Sequence, residues 1–170
     1  TFNDELSTIP YVMNRISDVI PDDNTYLLIK LHGSTKKKYR DLYKELAESD
    51  KRVIYIEDHD ITPYLALADL MISDVSSAMI EFASLDKPLI LFNNPNWHKY
   101  TNYNPDDIEF KFRHIAHQTN SLKEIKEAVI LAFGGNDPNF SIRKNVTRQL
   151  INNIEKADAT DKILNVILDA

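Results

Sequence analysis

The sequence predicts an α/β fold in which helices flank a mostly parallel sheet. Two observations lead to this prediction. Short apolar runs of strand length alternate with segments whose apolar residues recur every three or four positions, the spacing of an amphipathic helix. This alternation is typical of βαβ units, and it predicts parallel strands joined by right-handed crossovers.

Four runs are predicted as strands because each is short, mostly apolar and bounded by polar residues. They cover residues 26–31, 53–56, 70–73 and 88–92. After them, residues 93–107 are rich in asparagine, proline and aromatic residues, and we expect an ordered loop there.

Helices are predicted from periodicity and from their end signals. In the first βαβ unit, a helix is predicted over residues 35–49, because this range places Tyr39, Leu42, Tyr43 and Leu46 on one face. The other predicted helices cover residues 6–20, 61–68, 76–85 and 121–133, with two helical pieces over 140–168.

End signals are clearest in two of these helices. Pro63 suits the first turn of the helix over 61–68. In the helix over 121–133, Ser121 is the expected N-cap, Glu124 completes a capping box, and Gly134-Gly135 ends the helix.

The composition excludes several functional classes. The chain has 170 residues, 43% of them hydrophobic, which suffices for one domain with a core. Its net charge of −6 argues against non-specific nucleic-acid binding, so we expect no nucleic-acid partner. There is no cysteine for a disulfide or a thiolate metal site. No dinucleotide-binding GxGxxG, P-loop or GxSxG motif is present. The lack of a signal peptide or an apolar run of ~18–20 residues predicts a cytoplasmic location.

Polar residues follow three of the predicted strands. His32 follows the first, His59 the second, and Asp74, Ser76 and Ser77 the third. Because ligands of parallel sheets bind beyond the carboxyl ends of the strands, we expect these residues to share one rim.

The turn at Ser76-Ser77 joins a strand to a short helix and resembles an anion site. The first backbone N–H groups of a helix lack partners, and its dipole favours negative charge there. Glu81 lies four residues after Ser77, on the same helix face and about 6 Å away. This spacing suits a phosphate at the serines and a ribose diol at the carboxylate, and it predicts a nucleotide-diphosphate site. The alternatives are a serine cap and a solvated glutamate.

Other features leave alternatives open. His59, within residues 57–60, fits an exposed loop better than a hard-cation site. The basic run 36–38 with Arg40 fits a solvated helix start, with contact to an acidic polymer or anionic lipid as the alternative.

An aromatic loop follows the fourth predicted strand. It contains Trp97, Tyr100 and Tyr103, which could pack in the core, stack on a base or form a lid. His32 has its own alternative, a strand-end histidine held by a backbone hydrogen bond.

Residues 68–83 and 87–92 resemble the CDP-glycerol glycerophosphotransferase family, the teichoic-acid primases and polymerases of bacterial cell walls. The matching residues are Asp74, Ser76, Ser77, Glu81 and Lys87-Pro88, with the upstream motif Lys30-Leu31-His32 and the spacing from Asp60-Ile61 to Leu67-Ala68-Asp69. The resemblance covers most of residues 1–168.

The resemblance implies that residues 1–170 are the Rossmann-like, C-terminal donor-binding half of a two-domain GT-B transferase, with a helical tail over about 140–170. The acceptor would enter from an N-terminal domain absent from this chain, where the family has a histidine as candidate base. The implied reaction moves glycerol phosphate from CDP-glycerol to a hydroxyl of a membrane-linked polymer and releases CMP. The resemblance also implies that the enzyme works at the inner face of the cell membrane and needs no cofactor or metal. It further implies that the isolated chain is inactive.

The family motifs also imply roles for individual residues. His32 would contact the donor phosphates and stabilise charge as the phosphoanhydride breaks. The other residues implied at the donor are Lys30, Ser76, Ser77, Glu81 and Asp74. Of these, the serines would hold the phosphates, Glu81 would accept both ribose hydroxyls, and Asp74 would orient the turn.

The chain departs from the family pattern at three places. Gly33 stands for a proline, Val75 for an aromatic residue, and Asp106 or Asp107 for an arginine expected before Phe110. These departures leave open a different donor, such as CDP-ribitol or a sugar nucleotide. A sugar-nucleotide glycosyltransferase or epimerase domain and a non-catalytic interaction module with the same fold are the alternatives.

Overall fold

The computed structural model describes residues 1–151 and 158–168 and contains five strands in two parallel sheets. In the first sheet, β1 (Leu27–Lys30) pairs with β2 (Val53–Ile56), with Leu27 opposite Val53. The second has the order β3-β4-β5, formed by Met71–Ser73, Leu89–Phe92 and His117–Thr119. The α/β class and the parallel pairing are therefore confirmed.

The sequence prediction missed β5. Its three residues, His117, Gln118 and Thr119, all have polar side chains, so periodicity gives no strand signal. The strand is set by its neighbour: Ile90 pairs with His117 and Phe92 with Thr119 along the edge of β4.

Eight α-helices lie within the described residues. They are α1 (Ile9–Val12), α2 (Lys37–Ser49), α3 (Thr62–Leu67), α4 (Ala78–Ala83), α5 (Ile108–Lys111), α6 (Leu122–Phe133), α7 (Phe140–Leu150) and α8 (Ala159–Leu168). The predicted tail corresponds to α7 and α8, while its residues 152–157 lie outside the described part. No helix of residues 1–151 and 158–168 is long and apolar enough to cross a membrane.

The prediction of one continuous helix over residues 6–20 is wrong. Only α1 is α-helical, and a 3-10 helix, Met13–Val19, continues it. Met13 has a φ of +46°, which interrupts the α-helical geometry where the two segments join. Both segments still bury an apolar face, including Val12, Ile16 and Val19.

The predicted loop 93–107 contains one short 3-10 helix, Trp97–Lys99. A second, Arg113–Ile115, follows α5 and leads into β5. The capping box of α6 is present: Ser121 Oγ accepts the N–H of Glu124 at 3.2 Å, and the Glu124 carboxylate turns back to the N–H of Asn120 at 2.8 Å.

Strand β4 divides the core into two layers. Ile90 and Phe92 belong to a cluster with Ile29 and Val53 of the first sheet, and Leu89 and Leu91 belong to the other cluster. Alternate side chains of a strand point to opposite faces, so the fully buried β4 joins both clusters and both sheets.

Candidate functional site

The rim at the carboxyl ends of β1, β3 and β4 is tied together by residues 1–8. The Phe2 ring lies 4.7 Å from the His32 ring, after β1. The backbone N–H of Thr8 donates to Asp74 after β3 at 2.9 Å. After β4, the Asn94 amide donates to the carbonyl of Ser7 at 2.8 Å. The three strand ends therefore share one bridging segment.

Asp74 orients the turn that follows β3. It is 7% exposed, and one carboxylate oxygen accepts the backbone N–H of Thr8 while the other accepts that of Val75 at 2.9 Å. With its oxygens engaged in this way, the carboxylate holds the backbone rather than facing the rim.

The serine turn leaves several donors available. Ser76 Oγ accepts the N–H of Ala78 at 3.3 Å, whereas the exposed Ser77 hydroxyl has no hydrogen-bond partner among the described residues. The backbone N–H groups of both serines likewise have no acceptor within that part of the chain. Because α4 has only six residues, these N–H groups and hydroxyls count for more here than the helix dipole.

Glu81 lies one turn further along α4. It is exposed, and its carboxylate forms no hydrogen bond or ion pair within residues 1–151 and 158–168. Ser77 already has helical φ and ψ values of −62° and −24°, so it and Glu81 keep the spacing of a helical i, i+4 pair. A free hydroxyl and a free carboxylate thus lie on one helical face.

His32 lies exposed after β1 with one ring nitrogen engaged. Its Nδ1 accepts the backbone N–H of Ser34 at 3.0 Å, so the proton of a neutral imidazole lies on Nε2. Nε2 can therefore donate a hydrogen bond to an anion. The neighbouring Lys30 is half-buried, and its Nζ donates to the carbonyl of Leu31 at 3.2 Å.

Arg113 is a rim cation that the sequence reasoning missed. Its guanidinium donates to the carbonyls of Asp74 at 2.8 Å and Phe92 at 2.9 Å, and to Asn93 Oδ1 at 2.8 Å. Burial lowers the pKa of Arg113, and the charge of Asp74 partly offsets this. It lies three residues after Phe110, and the arginine expected before Phe110 was the available signal for a cation in this segment.

The other candidates make no contact with the serine turn. His59 is exposed in the loop after β2, and the described residues include no group of three or more His, Asp or Glu that could hold a metal. In the basic run, Lys36 pairs with Asp4 at 2.5 Å and Lys37 with Asp41 at 2.6 Å. The bond to Asp4 raises the pKa of Lys36.

The described residues line at least two surface cavities. One, of about 330 Å³, lies at the ends of β3, β4 and β5, beside Val75. The other, of about 440 Å³, is shallower and lies beside the start of α6; three of its basic residues already have partners. These pairs are Arg15 with Asp18, Arg52 with Asp50, and Lys123 with Glu127.

Comparison with known proteins gives a matching family, a curated relative and a solved structure with a similar fold. A family model described as CDP-Glycerol:Poly(glycerophosphate) glycerophosphotransferase matches residues 11–169. The teichoic acid glycerol-phosphate primase of Bacillus spizizenii is 38% identical over 68 residues, which are 39% of this chain and 16% of the primase. The crystal structure of TarM aligns with a TM-score of 0.54 and 17% identity over 96% of this chain and 32% of TarM. The chain thus spans about a sixth and a third of these two proteins, and the TarM likeness confirms the fold alone.

Proposed function

Since the chain belongs to the CDP-glycerol:poly(glycerophosphate) glycerophosphotransferase family, we propose that it is the donor-binding domain of a transferase that moves glycerol phosphate from CDP-glycerol to a cell-wall polymer. The observation that carries the proposal is the turn at the end of β3. There, free N–H groups and the Ser77 hydroxyl lie one helical turn from the free carboxylate of Glu81.

The proposed donor contacts follow from which groups are available. The N–H groups of Ser76 and Ser77 and the Ser77 hydroxyl would donate to the diphosphate, as backbone N–H groups do at other phosphate sites. The Glu81 carboxylate would accept both ribose hydroxyls. Asp74 would act indirectly, by holding the turn through Val75 and the segment at Thr8.

His32 would supply the catalytic hydrogen bond, and the Lys30 ammonium would add a positive charge near the phosphates. In the proposed reaction, an acceptor hydroxyl oxygen forms a bond to the phosphorus that carries glycerol, and the phosphoanhydride bond to CMP breaks. Negative charge grows on the bridging oxygen as it leaves, and an Nε2–H aimed at that oxygen would stabilise it. Lys30 would have to leave the Leu31 carbonyl to reach the phosphates. The hydroxyl proton would pass to a base on an N-terminal domain outside this chain.

The broader setting is also part of the proposal. An acceptor chain linked to the membrane would meet this domain across a cleft with that N-terminal domain. The enzyme would then work at the inner face of the cell membrane. In isolation, residues 1–170 would bind the donor without transferring glycerol phosphate.

Calorimetric titration with CDP-glycerol, CDP, UDP and a UDP-sugar tests the donor site. We expect heat with the cytidine compounds. Ser77→Ala or Glu81→Ala should lower the affinity about ten- to hundredfold, since a hydrogen bond to a charged group contributes about 1.5–3 kcal/mol. Ser49→Ala and Glu48→Ala, exposed at the far end of α2, are matched controls that should bind normally.

Two results would reject the proposal. Absence of heat with every nucleotide would show that the chain has no donor site. Normal affinity in both the Ser77 and Glu81 variants would show that the donor does not bind at the serine turn. A clear preference for UDP-sugars over CDP-glycerol would point instead to a glycosyltransferase domain.

A further inference from the structure

The cavity beside Val75 combines aromatic rings with side-chain amides. Trp97 lies 5.0 Å from Tyr103, and Tyr103 lies 4.8 Å from Phe110 with its ring nearly perpendicular. Gln118 also lines the cavity. Its volume of about 330 Å³ is within the range of about 300–1,000 Å³ for small-molecule pockets.

These aromatic rings are not core residues. Trp97 is 46% exposed and Tyr103 is 40% exposed, so their contact with each other leaves ring faces and edges open. The Trp97 ring N–H and the Tyr103 hydroxyl form no hydrogen bond with any residue that the structure describes. An exposed, mutually braced pair of this kind offers an apolar surface with polar tips.

The amides differ in how much bonding capacity they retain. Asn94 is buried and fully used: it donates to the carbonyls of Asp4 and Ser7 and accepts the N–H of Asn96. By contrast, Gln118 is exposed on β5 and has no hydrogen-bond partner in the described part of the chain. Its amide can both donate and accept, which matches a hydroxyl group.

The position of the cavity suggests which end of a donor reaches it. Going back along the chain from Glu81, one meets Ser77, Ser76 and then Val75, which lines the cavity. A donor with its ribose at Glu81 and its diphosphate at the serines, laid out in the same order as these residues, would extend past Val75 into the cavity. That end is the group to be transferred.

We propose that this cavity binds the polyhydroxylated alcohol end of the activated donor, with C–H groups against Trp97 and Tyr103 and a hydroxyl paired with Gln118. The inference rests on the proposed function, because the donor direction depends on Glu81 and the serines. It assigns to the aromatic loop the recognition of the transferred group and not of the nucleobase.

Tryptophan fluorescence tests this directly, because Trp97 is the only tryptophan of the chain. CDP-glycerol should change the emission of Trp97, while CDP, which lacks the alcohol, should bind in calorimetry and leave the emission nearly unchanged. Equal emission changes with both ligands, or none with either despite measured heat, would overturn the cavity assignment and leave the donor site standing. Absence of heat with both would overturn the two proposals together.

A pair of variants gives a second, independent readout. Gln118→Leu should weaken CDP-glycerol about three- to tenfold, the effect of one neutral hydrogen bond, and leave CDP affinity unchanged. Gln149→Leu, the same change on the exposed face of α7, should alter neither. Equal effects of Gln118→Leu on both ligands would contradict the assignment.

Discussion

Arg113 should stabilise the rim more than any surface ion pair does. Arg113→Met removes three hydrogen bonds, to the carbonyls of Asp74 and Phe92 and to Asn93. A bond from a charged donor contributes about 1.5–3 kcal/mol net, but removal of the cation also removes its desolvation cost. At about 1 kcal/mol for each bond, we expect the free energy of unfolding to fall by about 3 kcal/mol.

Urea unfolding followed by far-UV circular dichroism measures this change. With a slope of about 2 kcal/mol per molar urea, the midpoint should fall by about 1.5 M. The urea midpoint of Arg113→Lys should lie between those of the parent and Arg113→Met, because one ammonium cannot reach all three acceptors. Arg15→Met, which breaks only the exposed pair with Asp18, is the control and should keep the parental midpoint. A shift below about 0.3 M for Arg113→Met would refute the reasoning.

Two further predictions concern helix ends. The Lys87 ammonium donates to the carbonyls of Ala66 and Ala68 at 2.6 and 2.7 Å, where α3 ends. Lys87→Met should therefore lower the free energy of unfolding by about 1 kcal/mol, measured by thermal unfolding. The exposed control Lys51→Met should leave it unchanged. The N–H of Asn120 holds the pKa of Glu124 below its ordinary value of 4.5, so the Glu124 contribution is present above that pH and is lost as pH falls through the lower, folded value. The parent should therefore exceed Glu124→Gln in urea midpoint at neutral pH and lose that advantage in strong acid; a constant gap would contradict this.

Much of the fold could be predicted from local sequence. Four of the five strands coincide with apolar runs in the sequence, and such runs indicate buried strands. Strand β4, for example, is buried at all four positions. The cap of α6 follows from Ser121 and Glu124, because capping is a contact between residues three apart. The turn and the helix face could likewise be predicted from Asp74, Ser76, Ser77 and Glu81, because these residues are close together in the chain.

Features with distant partners could not be predicted in this way. Strand β5 forms only because β4 offers it an edge. Arg143 is fully buried in α7, where its guanidinium pairs with Asp137 and donates to the carbonyl of Asp86 at 3.3 Å. Nothing in the amphipathic pattern of that helix predicts a buried cation.

The sequence by itself determined the α/β class, the parallel pairing and the strand, turn and short helix around Ser76 and Ser77. The reason is that apolar spacing and short-range hydrogen bonds depend on residues that are close together in the chain. Only the tertiary structure decided how the rim is assembled. Residues 1–8 join His32, Asp74 and Asn94 across separations of up to 90 residues. Arg113 and the aromatic cavity likewise depend on chain segments that meet only after the strands have paired, because their contacts have no fixed spacing along the chain.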